Sequence, residues 1–518
     1  MPNPAIGMTV NLPQLPDPLS IPARVDAWAR RDAKFAGLLA SSKTPAAALA
    51  RWSLELLAAD RVEEGIDAIQ SALALAPKDP ILWSNYGAAF YQGHQESNAV
   101  ICIEHSLRIL PKQPDTWLLL GMVRKKLGND AGAEEAYHLA LEQEPRSIAA
   151  WQLLGLLKEE QKDIDTAIQC LKACIEAGGP TPALLAYVGK LSYNLGRFPQ
   201  SSQAYAQAAA MDSTNAFYLQ MARKCEFLRS MIEGCDVEAA LASFQLSRPS
   251  WKNEVEYRSD VEDLLHTAFG QLSGFGHKEA AAKVGRKHLE LCPDNSSLKY
   301  LLDAVTGDSR VDRSPRDYVV QHFDLFAAGF EAQLVGTLGY DLPGKLCEAV
   351  QDLTPAGHLW DAFDAGCGTG LCGPMLRPLS RKLTGVDLSP RMLEQAGLKG
   401  VYDELACDDI VHHLQNSQNS YDLIVAADTF IYFGDLKVLM EAIAMTLRAG
   451  GLLVFSVESR GGSGYQIQPS GRFAHSVDYV KNILSTNFEL LACEDTTLRL
   501  EATGRLPGNI FVFRRRVK

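Results

Sequence analysis

Three glycines, Gly366, Gly368 and Gly370, stand close together directly after a mostly apolar run, with Asp364 two residues before the first of them. Glycine is costly inside regular structure, so such a cluster indicates a backbone turn that other residues cannot adopt, or a ligand pressed against the main chain. The run "HLWDAFDAG" predicts a strand, and "GLCGPMLRPL" predicts the start of a helix. The spacing therefore predicts a ligand-binding loop between a strand and a helix.

The positions of these glycines argue against two common phosphate-binding loops. A P-loop closes on Gly-Lys-Ser/Thr, and the segment "GCGTGLCG" has no such ending. The dinucleotide fingerprint has glycine at its first, third and sixth positions, whereas the sixth position here is Leu371 and the third glycine falls at the fifth position. The loop is therefore expected to hold another ligand.

Further strands and acidic residues follow the loop. Asp387 ends the strand "LTGVD", 17 residues after Gly370, and a carboxylate there can accept hydrogen bonds from both hydroxyls of a ribose. The strands "YDLIVAAD" and "GGLLVFSVE" alternate with helical segments such as "SPRMLEQAG" and "DLKVLMEAIAMTLRAG". This alternation predicts a parallel sheet with helices on both faces, and a ligand site beyond the carboxyl ends of its strands.

The Gly-x-Gly-x-Gly loop, Asp387, "ACDDI", "YDLIVAAD" and "LRAGGLLVFSVE" together resemble the ordered motifs of class I S-adenosylmethionine-dependent methyltransferases. The resemblance implies a Rossmann-like domain with a mostly parallel seven-stranded sheet, and S-adenosylmethionine as the cofactor. It implies that the loop passes under the methionine part, that an acid meets the ammonium group, and that acidic residues hold the ribose and the adenine amino group. The implied cofactor-binding residues are Asp364, Gly366, Cys367, Gly368, Gly370, Asp387, Leu388, Asp408, Asp409, Ile410 and Asp428.

The first three hundred residues repeat with a period of 34, in four registers of tryptophan, glycine, small residues and proline. The members are Trp83, Trp117 and Trp151; Gly87, Gly121, Gly155 and Gly189; Ala99, Ala133, Ala167 and Ser201; and Pro77, Pro111 and Pro145. The glycine and the small residue are expected where two helices approach closely, and the proline where the second helix ends. From about Thr44 to Ser213 the unit resembles the tetratricopeptide repeat, which implies an all-α superhelix.

The segment before the glycine loop, residues 318–340, resembles the N-terminal cap of small-molecule methyltransferases of the ubiquinone and biotin pathways. There an aromatic and acidic helix folds over the cofactor, and relatives often have a tyrosine where this chain has Phe326. With the repeats and the tail "FSVE…GRFAHSVDYV", the chain resembles predicted bacterial methyltransferases that carry tetratricopeptide repeats. The expected division is 1–43, a partly helical extension; 44–230, repeats; 231–310, a degenerate capping region; and 311–518, the methyltransferase domain.

Candidate catalytic residues follow the fourth and fifth strands of the expected domain. The sulfonium of the cofactor already activates the methyl group, so the protein aligns an acceptor and can remove a proton. Asp428 and Tyr432 lie in "DTFIYFGD", while Glu458 and His475 lie further along the chain. Both of the latter are expected to reach the pocket, with the Glu458 carboxylate orienting the His475 imidazole as a base.

Substrate-binding candidates are Tyr432, Arg472 and Tyr479, with Arg472 as a clamp for an acidic group. Ordinary roles compete with these: Asp428 and Asp435 could cap a helix, and Tyr432 could be packing. A two-carboxylate metal site would lack a clear third ligand, so no metal is predicted.

The repeats imply a concave surface that grips protein, peptide or carrier-bound substrates. Two alternatives remain: repeats that serve only assembly, for instance of a homodimer, around an enzyme for small molecules or glycans, and a scaffold whose methyltransferase fold is inactive. The net charge of −12 argues against a nucleic-acid partner. Eleven scattered cysteines without a Cys-x-x-Cys pair, a proline-rich N-terminus and the lack of a long apolar span predict a cytoplasmic protein without a membrane partner.

Overall fold

The computed structural model of the chain describes residues 12–246, 254–307, 311–332, 339–417, 420–501 and 504–517. The chain divides into two units, the first made of Met1–Ser192 and Gln203–Leu219, and the second of Tyr193–Ser202 and Gln220–Lys518. The second unit includes helices before residue 311 as well as the sheet. The four-part division expected from the sequence stays a prediction.

Helices of the repeat region pack in sequential pairs. The helices of this region are α1 (Ile21–Arg31), α2 (Ala33–Ser41), α3 (Pro45–Ala58), α4 (Val62–Leu75), α5 (Pro80–Gln92), α6 (Glu96–Ile109), α7 (Pro114–Lys126), α8 (Asp130–Gln143), α9 (Ile148–Glu160), α10 (Ile164–Gly178), α11 (Pro182–Asn194) and α12 (Phe198–Met211). The pairs are α3 with α4, α5 with α6, α7 with α8 and α9 with α10. The extension before the repeats contributes α1 and α2, whose Ile21 and Phe35 are fully buried.

The repeat glycines stand where paired helices approach too closely for a side chain. A Cβ atom at Gly121 of α7 would lie 2.3 Å from the ring of Tyr137 in α8, and one at Gly87 of α5 would lie 2.4 Å from Ile103 in α6. Real Cβ atoms do not approach other atoms so closely, because interiors are already close-packed. The glycine register therefore has the packing role that the repeat pattern predicts.

One hydrogen bond joins the tryptophan and proline registers of the repeat. In each unit the indole Nε1 of the tryptophan donates to the carbonyl of the proline six residues earlier. The pairs are Trp83 to Pro77 at 2.8 Å, Trp117 to Pro111 at 2.9 Å and Trp151 to Pro145 at 2.9 Å. The bond gives the indole the polar partner that a buried tryptophan needs, and it fixes the turn that leads into the next helix.

Helices also occupy the chain between the repeats and the sheet. They are α13 (Ala216–Ile232), α14 (Val237–Leu246), α15 (Glu254–Gly274), α16 (Lys278–Leu291), α17 (Ser296–Thr306), α18 (Arg316–Phe326) and α19 (Leu342–Asp352). Gly285 of α16 faces Phe269 of α15, where a Cβ would lie 2.9 Å from the ring. The pair α15–α16 thus keeps the close approach of a repeat unit although its sequence is degenerate.

A nine-stranded sheet fills the rest of the second unit. Its strands and intervening helices are β1 (Trp360–Ala365), α20 (Gly373–Leu376), β2 (Ser380–Asp387), α21 (Pro390–Leu398), β3 (Glu404–Cys407), α22 (Ile410–Gln415), β4 (Tyr421–Ala426), α23 (Lys437–Thr446), β5 (Leu447–Ser459), β6 (Tyr465–Ile467), β7 (Phe473–His475), α24 (Val477–Leu484), β8 (Phe488–Glu501) and β9 (Gly504–Arg515). Strands β3, β2, β1, β4 and β5 are parallel neighbours in that order. This confirms the predicted parallel sheet.

Strand number and one boundary differ from the sequence-based expectation. β9 pairs antiparallel with β5, and β8 pairs with β9, which completes seven strands. The two further strands form the β6–β7 hairpin, whose β7 pairs parallel with the end of β5. β5 begins at Leu447, inside a segment that the sequence assigned to a helix, because the strand runs on through Gly450 and Gly451.

The central strands are buried on both faces, which explains their apolar sequences. Phe363 of β1, Ile424 of β4 and Phe455 of β5 have no exposed surface, and all three belong to one apolar cluster. The carboxyl ends of these strands are thereby held at one edge of the sheet, where polar side chains of the following loops come together.

We expect Gly121→Ala to destabilise the first unit by about 1–3 kcal/mol, because the added methyl would overlap the buried ring of Tyr137. The matched control is Gly37→Ala in α2, where nothing lies within 4 Å of the added Cβ. That change should stabilise by about 0.5–1 kcal/mol through helix propensity. Thermal and urea unfolding of the two full-length variants measure both effects. Equal stabilities would contradict the role given to Gly121.

Candidate functional site

The glycine loop turns sharply between β1 and α20. Gly366, Gly368 and Gly370 have φ angles of 70°, 54° and 83°, in the left-handed region that favours glycine. The backbone amides of Gly366 and Cys367 both donate to the carbonyl of Val386, at 2.8 and 3.0 Å. The loop is thereby fastened to the end of β2, and the main chain of residues 366–368 faces the neighbouring cavity.

Asp387, the last residue of β2, is held by the glycine loop. Its Oδ2 atom accepts a hydrogen bond from the Gly368 amide at 2.9 Å, and Oδ1 accepts one from the Ser389 amide at 2.9 Å. Burial raises the pKa of Asp387, while the bonds from Ser389 and Gly368 act in the opposite direction. A carboxylate oxygen can accept more than one bond, so Asp387 retains acceptor capacity for a ligand in the cavity that it lines.

Asp364, near the end of β1, is buried on the same side of the loop. Its Oδ2 atom accepts a hydrogen bond from the Tyr402 hydroxyl at 2.7 Å. Burial raises the pKa of Asp364 to about 7; the bond from Tyr402 opposes this shift and the charge of Asp387 adds to it. A cationic group placed beside Asp364 would favour its ionised form.

A cavity of about 350 Å³ extends along the glycine loop, Asp364 and Asp387. Its walls are largely apolar and aromatic, which is usual for a site that holds a small organic ligand. The principal apolar and aromatic lining residues are Val319, Phe323, Phe326, Phe330, Tyr340, Leu388, Ile410, Tyr432 and Phe433. Phe326 thus lines the cavity, whereas part of the predicted cap, residues 333–338, lies outside the described residues.

Four charged residues line one side of the cavity, Asp428, Arg472, Arg499 and Glu501, and they pair with one another and with the buried Glu458. These five residues are here called the charge cluster. Arg472 places Nε 2.5 Å from Glu458 Oε1 and Nη2 2.5 Å from Glu501 Oε1. Arg499 places Nη2 3.0 Å from Glu458 Oε1 and 3.2 Å from Glu501 Oε1, and its Nη1 pairs with Asp428 Oδ2. Burial raises the pKa of Glu458, although Arg472 and Arg499 act against that shift.

Asp428 is the most unusual member of the charge cluster. Its φ angle is 56°, a left-handed conformation that is uncommon for a non-glycine residue and is often found at functional sites. Oδ2 pairs with Arg499, but Oδ1 is buried and has no hydrogen-bond partner among the described residues. The predicted Asp428 and Tyr432 both line the cavity.

The expected Glu458–His475 pair does not form. Glu458 pairs with Arg472 and Arg499, while His475 Nε2 lies 3.0 Å from the carbonyl of Gly434. Glu458 of β5 is in register with Ala474 of β7, one residue before His475, so the two side chains point to opposite faces of the sheet. Burial lowers the pKa of His475 to about 4. The imidazole is therefore a neutral packing group, and the expectation that Glu458 orients it was wrong.

Arg472 lines the cavity as expected, but both of its carboxylate partners belong to the protein. Tyr479 lies outside the cavity: its hydroxyl donates to Asp435 Oδ1 at 2.9 Å and accepts from the Leu436 amide at 2.9 Å. Asp435 Oδ1 also accepts from the Lys437 amide. Asp435 therefore lies at the start of α23, in agreement with the helix-capping role that the sequence allowed for it. The Tyr479 hydroxyl contacts the same carboxylate.

The two acidic residues expected near an adenine differ in placement. Asp408 pairs with His412 and accepts from the Asp409 amide on an exposed surface. Asp409 caps the start of α22, where its Oδ1 accepts the amides of Val411 and His412, and it pairs with Arg313. Ile410 and Arg313 line the cavity, whereas Asp408 does not. Asp409 is connected to this side of the cavity through its pair with Arg313.

Gly370, Cys367 and Leu388 are the remaining expected contacts. Cys367 and Leu388 line the cavity. Gly370 instead supports the turn, because a Cβ there would lie 3.0 Å from the Tyr402 ring and 3.3 Å from Ala396. Its role is to let the loop pack against α21.

Sequence reasoning missed Arg499 and Glu501 of β8 and His322 of α18, which all line the cavity. Burial lowers the pKa of His322, and the neighbouring Arg472 acts in the same direction. The signal that could have identified Arg499 and Glu501 is their alternation in "TLRLE", which places both on one face of a strand. Where the Arg499 and Glu501 side chains lie relative to the rest of the cavity depends on the antiparallel pairing of β8 with β9.

Two kinds of feature, a metal-binding group of side chains and a membrane-spanning helix, are absent from the described residues. Among the residues that the structure describes, no group of three or more His, Cys, Asp or Glu side chains could hold a metal ion. No helix in the described ranges is both long and apolar enough to cross a membrane.

Family comparisons agree with the two predicted parts of the chain. Residues 363–455 match the family model of a methyltransferase domain, and residues 148–177 match that of a tetratricopeptide repeat. The chain therefore carries a tetratricopeptide-repeat region and a Rossmann-like methyltransferase domain, as the sequence predicted.

Curated relatives match the same domain. The malonyl-[acyl-carrier protein] O-methyltransferase of Acetivibrio thermocellus is 34% identical over 100 residues, which cover 18% of this chain and 35% of the relative. The ubiquinone biosynthesis O-methyltransferase of Escherichia coli is 24% identical over 169 residues, covering 30% of this chain and 68% of the relative. The chain thus spans only about a third of the length of the first relative.

Solved structures with similar regions include the [4+2]-cyclase SpnF, with a TM-score of 0.35 and 18% identity over 40% of this chain and 100% of that one. Another is the N-methyltransferase NodS from Bradyrhizobium japonicum WM9 in complex with S-adenosyl-L-homocysteine. Its TM-score is 0.31, with 18% identity over 38% of this chain and 98% of that one.

We expect Arg499→Met to destabilise the second unit by about 3–5 kcal/mol, because it leaves buried carboxylates without their guanidinium partner. The control is Lys382→Met, which breaks an exposed pair with Glu404 and should cost less than about 1 kcal/mol. Urea unfolding followed by circular dichroism measures both. A similar small loss in the two variants would mean that the charge cluster does not depend on Arg499.

Proposed function

We propose that this chain is an S-adenosylmethionine-dependent methyltransferase that transfers a methyl group to a nucleophile bound in the cavity. The observation that carries the proposal is the fixed carboxylate of Asp387 beside the left-handed glycine loop. An acceptor-only group held by two backbone amides suits the paired hydroxyls of a ribose. The methyltransferase-domain match over residues 363–455 supports the same assignment.

The remaining groups of the cavity suit the other parts of the cofactor. Asp364, whose pKa is about 7, would hold the ammonium group of the methionine part. The main chain of residues 366–368 can approach the ligand because two of the three residues are glycine. Leu388 and Ile410 offer apolar surface to an adenine ring.

When bound, S-adenosylmethionine supplies an activated methyl group on its sulfonium. The chain's own residues would then bind the acceptor, exclude water and accept a proton. Asp428 and Tyr432 are the proposed residues at the acceptor, since both line the cavity and Asp428 Oδ1 has a free lone pair. His322 also lines the cavity, and burial together with Arg472 lowers its pKa, which disfavours protonation of its imidazole.

We also propose that the repeat region recruits a protein, peptide or carrier-bound substrate. Residues that follow each repeat glycine occupy one register, and a register repeated every 34 residues lies on one face of a solenoid. This register face consists of Ala88, Met122, Leu156 and Lys190. Leu156 is 47% exposed there, so it offers apolar surface to a partner. A relative whose name gives an acyl-carrier protein as substrate supports carrier-bound acceptors.

A free small molecule is the second candidate substrate. The observation that favours it is the match to ubiquinone biosynthesis O-methyltransferases over 169 residues, which is longer than the match to the carrier-protein enzymes. On this alternative the repeat region serves assembly only.

The first test measures cofactor affinity by titration calorimetry. We expect Asp387→Ala to weaken binding of S-adenosylmethionine by about ten- to a hundredfold, because the ribose acceptor is lost. Glu404→Ala, at an exposed carboxylate paired with Lys382, is the control and should bind as the wild type does. Wild-type protein that fails to bind the cofactor would favour an inactive scaffold. Unchanged affinity in Asp387→Ala would reject the ribose assignment alone.

The second test concerns the repeat region. Leu156→Glu should lower transfer of labelled methyl groups into the macromolecules of a cell extract by about tenfold or more, because a charge replaces an apolar contact. Met211→Glu, a change at another exposed residue of the first unit, should have little effect. Cofactor affinity should be equal in both variants. If label enters small metabolites and Leu156→Glu has no effect, the free small-molecule alternative holds.

A further inference from the structure

The charge cluster restricts which acceptor the cavity can receive. We infer that the methyl acceptor is an amine nitrogen and not a carboxylate, an inference that rests on the proposed methyltransferase function. It is carried by three observations: the arginines of the cluster are already paired, its carboxylates outnumber them, and one carboxylate oxygen is left without a donor.

Both cavity-lining arginines of the cluster are occupied by the protein itself. Arg472 contacts Glu458 and Glu501, while Arg499 contacts Glu458, Glu501 and Asp428. Burial alone would lower the pKa of the Arg472 guanidinium, but Glu458, Tyr432 and Glu501 reverse the shift and raise it. An acidic acceptor would have to compete with these buried carboxylates for its cations. The cluster is therefore a poor clamp for an anion.

The charges of the cluster do not balance. Three carboxylates, those of Asp428, Glu458 and Glu501, share two guanidiniums, those of Arg472 and Arg499. Glu458 is buried and Asp428 and Glu501 are partly so, and an excess charge that is largely withdrawn from water is costly unless a ligand of opposite charge offsets it. A protonated amine entering the cavity would supply that charge, whereas a carboxylate would add to the excess.

Asp428 supplies the atom that an amine would meet. Asp428 lines the cavity; its Oδ1 atom has almost no exposed surface and lacks a partner among the described residues, while Oδ2 is held by Arg499. A buried acceptor without a donor carries a desolvation penalty, which an N–H group of the substrate would remove. Arg499 thus fixes one oxygen and leaves the other to the substrate.

The bonds and protons of the proposed methyl transfer can all be accounted for with Asp428, the amine and the cofactor. Asp428 takes a proton from the ammonium, and the nitrogen lone pair then forms a bond to the methyl carbon. The bond between that carbon and the sulfur breaks, and its electron pair stays with the sulfur. The second proton lost on forming the neutral methylated amine can pass to solvent, so no further reactant is required.

This inference separates the chain from the first curated relative, whose name describes an O-methyltransferase. A carboxylate acceptor would need a free cation, and the cavity of this chain commits its Arg472 and Arg499 to internal pairs. Arg499 and Glu501 of these pairs come from β8.

The test compares two probes of equal shape and opposite charge, benzylamine and benzoate, whose ring suits the aromatic walls formed by Phe323 and Phe326. Binding is measured by calorimetry to full-length protein saturated with S-adenosylhomocysteine. We expect benzylamine to bind at least about tenfold more tightly than benzoate. Asp428→Asn should reduce that preference to below about threefold. Asparagine tolerates a positive φ angle, so the backbone of the variant is not newly strained.

Glu404→Gln is the matched control, since it removes an exposed carboxylate outside the cavity and should keep the preference. Circular dichroism and thermal unfolding measure whether Asp428→Asn is folded. Tighter binding of benzoate, or an unchanged preference in Asp428→Asn, would overturn the inference while leaving the proposed function intact. Failure of the wild type to bind the nucleoside would overturn the proposed function, and the inference with it.

The chemistry of the product gives a second measurement. After incubation of a cell extract with methyl-labelled cofactor, label on nitrogen stays with cationic compounds through acid hydrolysis and mild base. Label on a carboxylate is released as volatile methanol by mild base, and label on a hydroxyl remains in neutral or acidic compounds. After the unreacted cofactor has been removed, label retained on cation-exchange resin in excess of that from extract without the added protein supports the amine acceptor, and an excess in either other fraction contradicts it.

Discussion

The bond between the Gly368 amide and the Asp387 carboxylate organises the candidate site. It joins the loop after β1 to the end of β2, and the amides of Gly366 and Cys367 reinforce the same junction through Val386. Because the loop is fixed to a strand that is buried in the sheet, its main chain has one position relative to Asp364 and the cavity. Every role given to the cavity depends on that position.

The two ends of the cavity are built by different means. The glycine loop and Asp387 use backbone amides, which no side-chain substitution elsewhere can remove. The charge cluster uses side chains from β5, β8, the loop after β4 and the residue just before β7, which meet only when the sheet is assembled. The glycine loop and the charge cluster thus lie along one cavity but are held by separate sets of bonds.

The sequence was sufficient for features set by local spacing. The 34-residue registers predicted the helical pairs, and the glycine loop with Asp387 was recognisable because consecutive residues and one strand end define it. The sequence was insufficient where the position of a residue depends on which strands pair and in which register. Glu458 and His475 were expected together because both follow the fifth strand, yet the register of β5 and β7 places them on opposite faces. Arg499 was missed because its place beside Asp428 requires an antiparallel hairpin more than seventy residues further on.

The hairpin of β8 and β9 also sets the order in which the parts of the site form during synthesis. Asp364, the glycine loop and Asp387 leave the ribosome well before Arg499 and Glu501. While the later residues are still inside the exit tunnel, Asp428 and Glu458 have been made but their guanidinium partner on β8 has not. During synthesis the glycine loop and Asp387 can therefore take up their places first, and the charge cluster is completed only as the last strands dock.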